Sequence, residues 1–281
     1  MPNEPISPGS ANGRDDQLAG RDSGRAAEPA SAGAAASTAL RDVTLVFAAV
    51  TAASAAISFL QSVPALAEYV HLLTGLVFLY AALTLAQRDP RGVRHHGLDL
   101  GGLLVPPEEQ PSGLVASLRD LATAVLRAIP AGLRESLPAI GTALVVFPPF
   151  ACGFYFWHAP ARAFALNLPD SLWWYFIVQL LVVGLPEEAL FRGYFQTRLA
   201  DRFVLRVNVL GVAVFPVALA FQAVLFALVH FAVDLNPARL AVFFPALLFG
   251  FLRAWRGGIG AAMVFHALCN VFSDILVRGW L

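Results

Sequence analysis

The sequence contains no lysine, because all 19 of its basic residues are arginines. This absence excludes chemistry that needs a lysine side chain, such as Schiff bases, Ser–Lys dyads and the phosphate-binding P-loop. Cysteine is nearly as scarce: the chain has two, Cys152 and Cys269, and they form no CxxC pair. Two isolated cysteines cannot build an iron–sulfur cluster or a cysteine-based zinc site.

Charge of either sign is also scarce. Charged residues make up 14% of the chain and hydrophobic residues 58%, whereas a soluble domain has about 25% charged residues. This composition excludes a water-soluble globule for most of the chain and makes the lipid bilayer its expected partner. Since the formal net charge is zero, nothing in the sequence indicates a nucleic-acid partner.

Composition changes sharply near residue 40. Residues 1–40 are rich in Gly, Ala, Ser, Pro and Asp and have almost no large apolar side chains. Such a segment cannot bury enough surface to offset its ordering entropy, so we expect a disordered polar tail. Residues 41–135 are predicted to hold the N-terminal membrane helices with a polar loop and an amphipathic helix. Residues 136–281 are predicted to form a second membrane-embedded domain.

Charge-free apolar runs predict an all-α, polytopic transmembrane helical bundle with about seven spans, since a span needs roughly 20 apolar residues. These runs cover residues 43–67, 69–87, 136–157, 171–186, 207–229, 240–252 and 257–273. Charges interrupt the apolar positions of residues 113–135, which favours an amphipathic helix lying in the interface.

Arginines cluster in alternate loops, around residues 88–94, 198–206 and 253–256. Arginine-rich loops of membrane proteins face the cytoplasm as a rule. We therefore expect an integral membrane protein with its N-terminus in the cytoplasm and its C-terminus outside.

Ionisable groups inside a predicted span are costly, so each is a candidate functional group. The first set is Glu187-Glu188-Ala189-Leu190-Phe191-Arg192. Glu188 and Arg192 are four residues apart, share a helix face and can form an ion pair. Glu187 has no local partner, and an unpaired carboxylate away from bulk water suits a general base. Alternatively, the helix simply ends here, with its charges in the aqueous interface.

Two further sets lie in later spans. His230 ends a charge-free run that includes Phe226, and taken alone it can equally be a hydrogen-bonded core histidine. His266 and Asn270 are four residues apart and project from one face, about 6 Å apart along the helix axis. Two such donors can hold a developing oxyanion, or they can be a polar contact that holds two helices together.

The joint order of these sets resembles the CPBP family, the CAAX proteases and bacteriocin-processing enzymes. The motifs of that family are EExxxR, FxxxH and HxxxN or HxxxD, each on its own membrane helix. Here the matching residues are Glu187, Glu188 and Arg192, then Phe226 and His230, then His266 and Asn270. The resemblance covers about residues 170–275 and makes residues 136–281 a CPBP-like catalytic domain. It implies an intramembrane endopeptidase of a bacterial cytoplasmic membrane.

The resemblance also implies a role for each residue. Glu187 matches the base that activates the attacking water, and His230 matches the histidine that assists it. His266 and Asn270 match the pair that holds the oxyanion, whereas Glu188, Arg192 and Phe226 are supporting residues. Glu187, His230 and His266 could bind zinc by type, but the family is treated as glutamic-type and metal-free, so no cofactor is expected.

The residues of the three motifs can lie at the same depth in the membrane only under two conditions. The fifth span has to begin at Pro216 and not at Val207, and proline is well placed to start a helix. The helix of Glu187 has to continue to about Ala200. Under these conditions Glu187, His230 and His266 converge in a cavity open to the cytoplasm.

The expected substrate is a membrane-associated protein or peptide. The aromatic run Gly153–His158 weakly resembles the myxosortase-like subgroup, which removes C-terminal sorting tails; an aromatic interfacial belt explains the same residues. Two other functional hypotheses stay open: a transporter with a proton relay, and a non-catalytic immunity or scaffold protein.

Overall fold

The computed structural model describes residues 28–105 and 113–281. Within these ranges, seven helices are long and apolar enough to cross a membrane, which confirms the predicted all-α polytopic bundle. We number them as spans one to seven: Thr38–Ser62, Val70–Arg88, Leu114–His158, Leu172–Arg202, Pro216–Asp234, Pro237–Arg256 and Gly260–Trp280. The predicted tail falls largely on residues 1–27, outside the described ranges, and the first helix begins at Glu28, earlier than expected.

The elements follow one another in a simple order. The α-helices are α1 (Glu28–Ser58), α2 (Pro64–Ala67), α3 (Val70–Arg88), α4 (Gly92–His95), α5 (Leu114–His158), α6 (Leu172–Val178), α7 (Leu185–Glu188), α8 (Gln196–Arg202), α9 (Pro216–Asp234), α10 (Phe243–Arg256) and α11 (Gly260–Trp280). Short 3-10 turns cover Phe59–Ser62, Leu100–Gly102 and Pro237–Val242.

The predicted interfacial helix and the span after it form one helix. Residues 113–135 and 136–157 were expected as separate elements, but α5 runs unbroken through 45 residues. At 1.5 Å per residue it is about 67 Å long, more than twice a bilayer core. Its first half presents exposed apolar side chains, including Leu118, Leu126 and Leu133, which suits a lipid-facing surface.

The fourth span is a continuous helix that contains two π-helical segments. Two π-helical segments, Gln179–Gly184 and Ala189–Phe195, flank α7, which carries Glu187 and Glu188. Such π segments often occur at functional sites. Close packing fixes this span: a Cβ on Gly75 would lie 2.6 Å from the carbonyl oxygen of Val182, so only glycine permits this contact with α3.

Both conditions for convergence of the motifs are met. The fourth span continues to Arg202, beyond the expected Ala200. The fifth span begins at Pro216, and the residues before it form a small antiparallel hairpin, β1 (Val207–Val209) with β2 (Val212–Val214). The all-α prediction had no strands here. Proline at the first helical position has a suitable φ and needs no hydrogen-bond acceptor for its nitrogen.

The arginine-rich loops meet at one end of the bundle. Arg91 makes two hydrogen bonds to Asp201, at 2.6 and 2.9 Å, and also contacts Asp89. Hydrogen bonds from the Arg91 guanidinium hold the pKa of Asp89 well below its usual value. Arg253 donates to the carbonyl oxygen of His95 at 3.4 Å. The three clusters expected to share a side of the membrane are therefore in contact, although which side they face stays a prediction.

Candidate active site

Three predicted residues from three spans meet around one point. The Oε2 atom of Glu187 lies 3.9 Å from Nε2 of His230 and 3.7 Å from Nε2 of His266. Both distances exceed a direct hydrogen bond but allow one water to contact all three groups. Among the described residues, this Oε2 is buried and has no hydrogen-bond partner. The site therefore presents an unpaired carboxylate oxygen between two imidazole rings.

Glu188 contacts both Arg192 and His266. Its Oε1 atom accepts a hydrogen bond from Nη1 of Arg192 at 2.9 Å and another from Nδ1 of His266 at 2.8 Å. Glu188 and Arg192 have no exposed surface, and His266 is 4% exposed. The predicted ion pair is present, and it also orients a ring of the site. The sequence did not reveal this second contact because its partners are 78 residues apart.

The hydrogen bonds at Nδ1 determine which protons the two rings carry. A carboxylate can only accept, so Nδ1 of His266 holds a proton. Nδ1 of His230 lies 2.8 Å from the carbonyl oxygen of Phe226, which is also an acceptor. In the neutral rings both Nε2 atoms are therefore free acceptors directed at Glu187. Together with Oε2 of Glu187 they make three acceptors, of which one water molecule can donate to two.

Aromatic rings enclose the buried charges. The guanidinium of Arg192 lies 4.2 Å from the ring centre of Phe226 and 4.9 Å from that of Phe249. Phe249 also stacks on His266, with 4.8 Å between centroids and 9° between planes. Cation–π contacts offset part of the cost of a buried guanidinium. Phe226 was predicted from its motif, whereas nothing in the apolar run around Phe249 distinguishes that residue.

Asn270 lies on the same helix as His266, but its observed partner is outside the motifs. Its Nδ2 atom donates to Oε1 of Gln179 at 2.8 Å. An asparagine amide has two N–H groups, so one remains available to a ligand. Sequence reasoning missed Gln179, although a polar residue in the run from Leu172 to Leu185 is itself a signal. Gln179 is the first residue of a π segment.

The residue types at this point are those that bind zinc. Ligands of tetrahedral zinc at 2.0–2.1 Å lie about 3.3 Å apart, and Oε2 of Glu187 is 3.7 and 3.9 Å from Nε2 of the two rings. In the part of the chain that the structure describes, no three His, Cys, Asp or Glu side chains are arranged to hold a metal.

Comparison with known proteins gives a family match over this region. Residues 169–272 match the family model described as Type II CAAX prenyl endopeptidase Rce1-like. The matched segment contains all seven predicted site residues, which confirms the resemblance to CPBP proteases over this part of the chain. The match does not extend to the myxosortase-like subgroup, which stays a prediction. Neither the curated proteins nor the solved structures give a match.

Proposed function

We propose that this chain is an intramembrane endopeptidase that hydrolyses a peptide bond with a water activated by Glu187. The observation that carries the proposal is the convergence of His230 and His266 on Glu187, whose Oε2 lies within 4 Å of Nε2 of each ring. They lie in the segment that matches a CAAX endopeptidase family. Peptide hydrolysis inside a bilayer needs a polar site that holds water, and this cluster supplies one.

The proposed reaction begins with proton transfer to Glu187. Its carboxylate takes one proton from the bound water, while Nε2 of His230 accepts the second O–H in a hydrogen bond. The hydroxide attacks the scissile carbonyl carbon, and the carbonyl oxygen becomes an oxyanion. Protonated Glu187 then gives its proton to the leaving amine, the C–N bond breaks, and the carboxylate is restored.

Asn270 and His266 are proposed to stabilise the oxyanion. Asn270 would use the N–H that Gln179 does not accept. His266 would donate from Nε2 as an imidazolium, after its ring has taken a proton from solvent, and the Glu188 carboxylate, 2.8 Å away, would balance the positive charge. Glu188 and Arg192 therefore act as positioning residues, because they hold the ring that faces the substrate.

The proposed substrate is a membrane-associated protein or peptide cut close to the bilayer. The name of the matched family indicates processing of protein C-termini. The myxosortase-like subgroup, which removes C-terminal sorting tails, would also cut near a C-terminus. A C-terminal tail is thus the substrate class to examine first.

A survey of cellular C-termini tests this proposal. Membrane-associated proteins are compared between cells that express the wild type and cells that express Glu187→Ala, with Glu68→Ala as the control. Glu68 is exposed in the link between spans one and two. We expect particular proteins to be shortened by the wild type and the control, and to stay long with Glu187→Ala.

Identical sets of C-termini from folded, inserted proteins would overturn the protease proposal. A transport defect in Glu187→Ala would then support the proton relay. If Glu187→Ala keeps full biological function, this would support the hypothesis of a non-catalytic immunity or scaffold protein.

Gln179 provides a separate prediction about positioning. Gln179→Leu removes the acceptor that holds Asn270, and we expect kcat to fall about tenfold with KM nearly unchanged. Gln179→Glu keeps an acceptor oxygen and should retain most of the activity. Steady-state kinetics on a cleaved peptide check both variants. Equal rates for Gln179→Leu and the wild type would contradict the role of Gln179.

A further inference from the structure

A cavity of about 300 Å³ lies where the arginine-rich loops meet. Its polar lining includes His95, Gln196, Thr197 and Arg253, and its apolar wall includes Ala213 and Phe215. Neither Glu187 nor the two histidines of the candidate active site line it. It is therefore distinct from the proposed site of hydrolysis, although Arg192 borders both.

Three buried polar atoms of the lining residues have no partner in the described ranges. They are Nε of Arg192, Nε of Arg253 and Oε1 of Gln196. A buried polar atom without a hydrogen bond destabilises the folded state, so such atoms call for an explanation. These three lining side chains therefore have unused hydrogen-bonding capacity, which an occupant of the cavity that both accepts and donates hydrogen bonds would use.

The charges around the cavity leave one cation unmatched. The carboxylate of Asp201 is bonded to Arg91 and lies 3.5 Å from Arg198, and Arg192 is paired with Glu188. No carboxylate of the described chain lies within 4 Å of Arg253. Its guanidinium packs so closely on Gly97 that a Cβ there would lie 2.6 Å from Cζ. The cavity therefore has a net positive charge from Arg253.

We propose that this cavity binds the phosphate group of a phosphomonoester. A guanidinium suits phosphate oxygens because its N–H groups form a planar fork. The Thr197 hydroxyl can donate to a further oxygen. Near neutral pH a phosphomonoester is partly protonated, and its P–OH can donate to Oε1 of Gln196, which an ionised carboxylate cannot do.

The ester substituent would lie against Ala213 and Phe215. Two sources share this chemistry, a soluble phosphomonoester and the headgroup of a lipid such as phosphatidic acid. The cavity volume of about 300 Å³ is larger than the space one water needs, about 30 Å³.

Thermal unfolding of the purified full chain in neutral detergent tests the proposal without any assay of hydrolysis. Glycerol phosphate and inorganic phosphate are titrated against acetate at equal ionic strength. In a second arm, nanodiscs of phosphatidylcholine are compared with nanodiscs that also contain phosphatidic acid. We expect stabilisation by phosphomonoester in at least one arm, since ligand binding to the folded state raises the unfolding temperature.

The variants identify the site. Arg253→Gln should weaken the phosphomonoester affinity about tenfold or more, whereas Arg202→Gln, which removes an exposed arginine at the same end of the bundle, should leave it unchanged. Thr197→Val should weaken it about fivefold and keeps the test decisive if Arg253→Gln does not fold. Stabilisation in detergent identifies a soluble ligand, and stabilisation confined to phosphatidic acid nanodiscs identifies a lipid. No stabilisation in either arm, or equal stabilisation of both cavity variants and the wild type, overturns the proposal.

Discussion

Glu187→Gln is expected to lower the rate of peptide hydrolysis by about 10²- to 10⁴-fold, the usual contribution of a general base. The same change should leave the unfolding temperature equal or higher. Oε2 of Glu187 is buried and has no hydrogen-bond partner among the residues that the structure describes, so no direct contact there compensates its charge. The amide of the replacement can instead donate to Nε2 of His230 or His266, each less than 4 Å from Oε2.

Loss of activity without loss of stability is the signature of a residue kept for chemistry. The measurement is kcat/KM on a purified peptide substrate, together with thermal unfolding in the same detergent. Glu68→Gln removes an exposed carboxylate outside the spans and serves as the matched control, with both quantities unchanged. A Glu187→Gln enzyme that hydrolyses peptide at the wild-type rate would show that another group activates the water.

The Glu188–Arg192 pair should show the largest effect on stability. Arg192→Met leaves the fully buried Glu188 carboxylate with His266 as its remaining observed partner, and we expect a loss of about 3–5 kcal/mol in the free energy of unfolding. The double variant Glu188→Met with Arg192→Met replaces both charges with apolar side chains. Most of the lost stability should return, because Phe226 and Phe249 line the space around the guanidinium.

The double variant should nevertheless be nearly inactive. His266 loses the acceptor of its Nδ1–H, and with it both its fixed orientation and the balancing negative charge. The carbonyl oxygen of Ala246, which accepts from Arg192, keeps its hydrogen bond from Gln222 at 3.2 Å, so no new unpaired carbonyl explains a defect.

Unfolding in denaturant and peptide hydrolysis measure the two outcomes. Arg239→Met breaks an exposed pair with Asp234 and should cost less than about 1 kcal/mol. A double variant that cleaves peptide at the wild-type rate would remove Glu188 from the proposed machinery. A double variant as unstable as the single one would show that the charges themselves stabilise the fold.

Local and compositional features of this protein could be predicted from its sequence. Mean apolarity over about 20 residues decides whether a helix can cross a bilayer, so the seven spans were predictable. Spacing of four residues along a helix places Glu188 beside Arg192, and the ion pair is present. Pro216 set the start of the fifth span because proline at that position needs no hydrogen-bond partner.

Tertiary structure alone decided which groups meet between helices. Spacing along one helix could not show that His266 bonds to Glu188, that Asn270 donates to Gln179, or that Phe249 stacks on His266. It also could not show that Arg91 contacts two carboxylates whereas Arg253 contacts none in the described part of the chain. The physical reason is that contacts between residues on different helices depend on how those helices pack, here through close approaches at Gly75 and Gly97 and through two π segments. A hydropathy pattern determines how many helices lie in the membrane, and only the packing of their side chains determines which buried charges are compensated and which remain free to act.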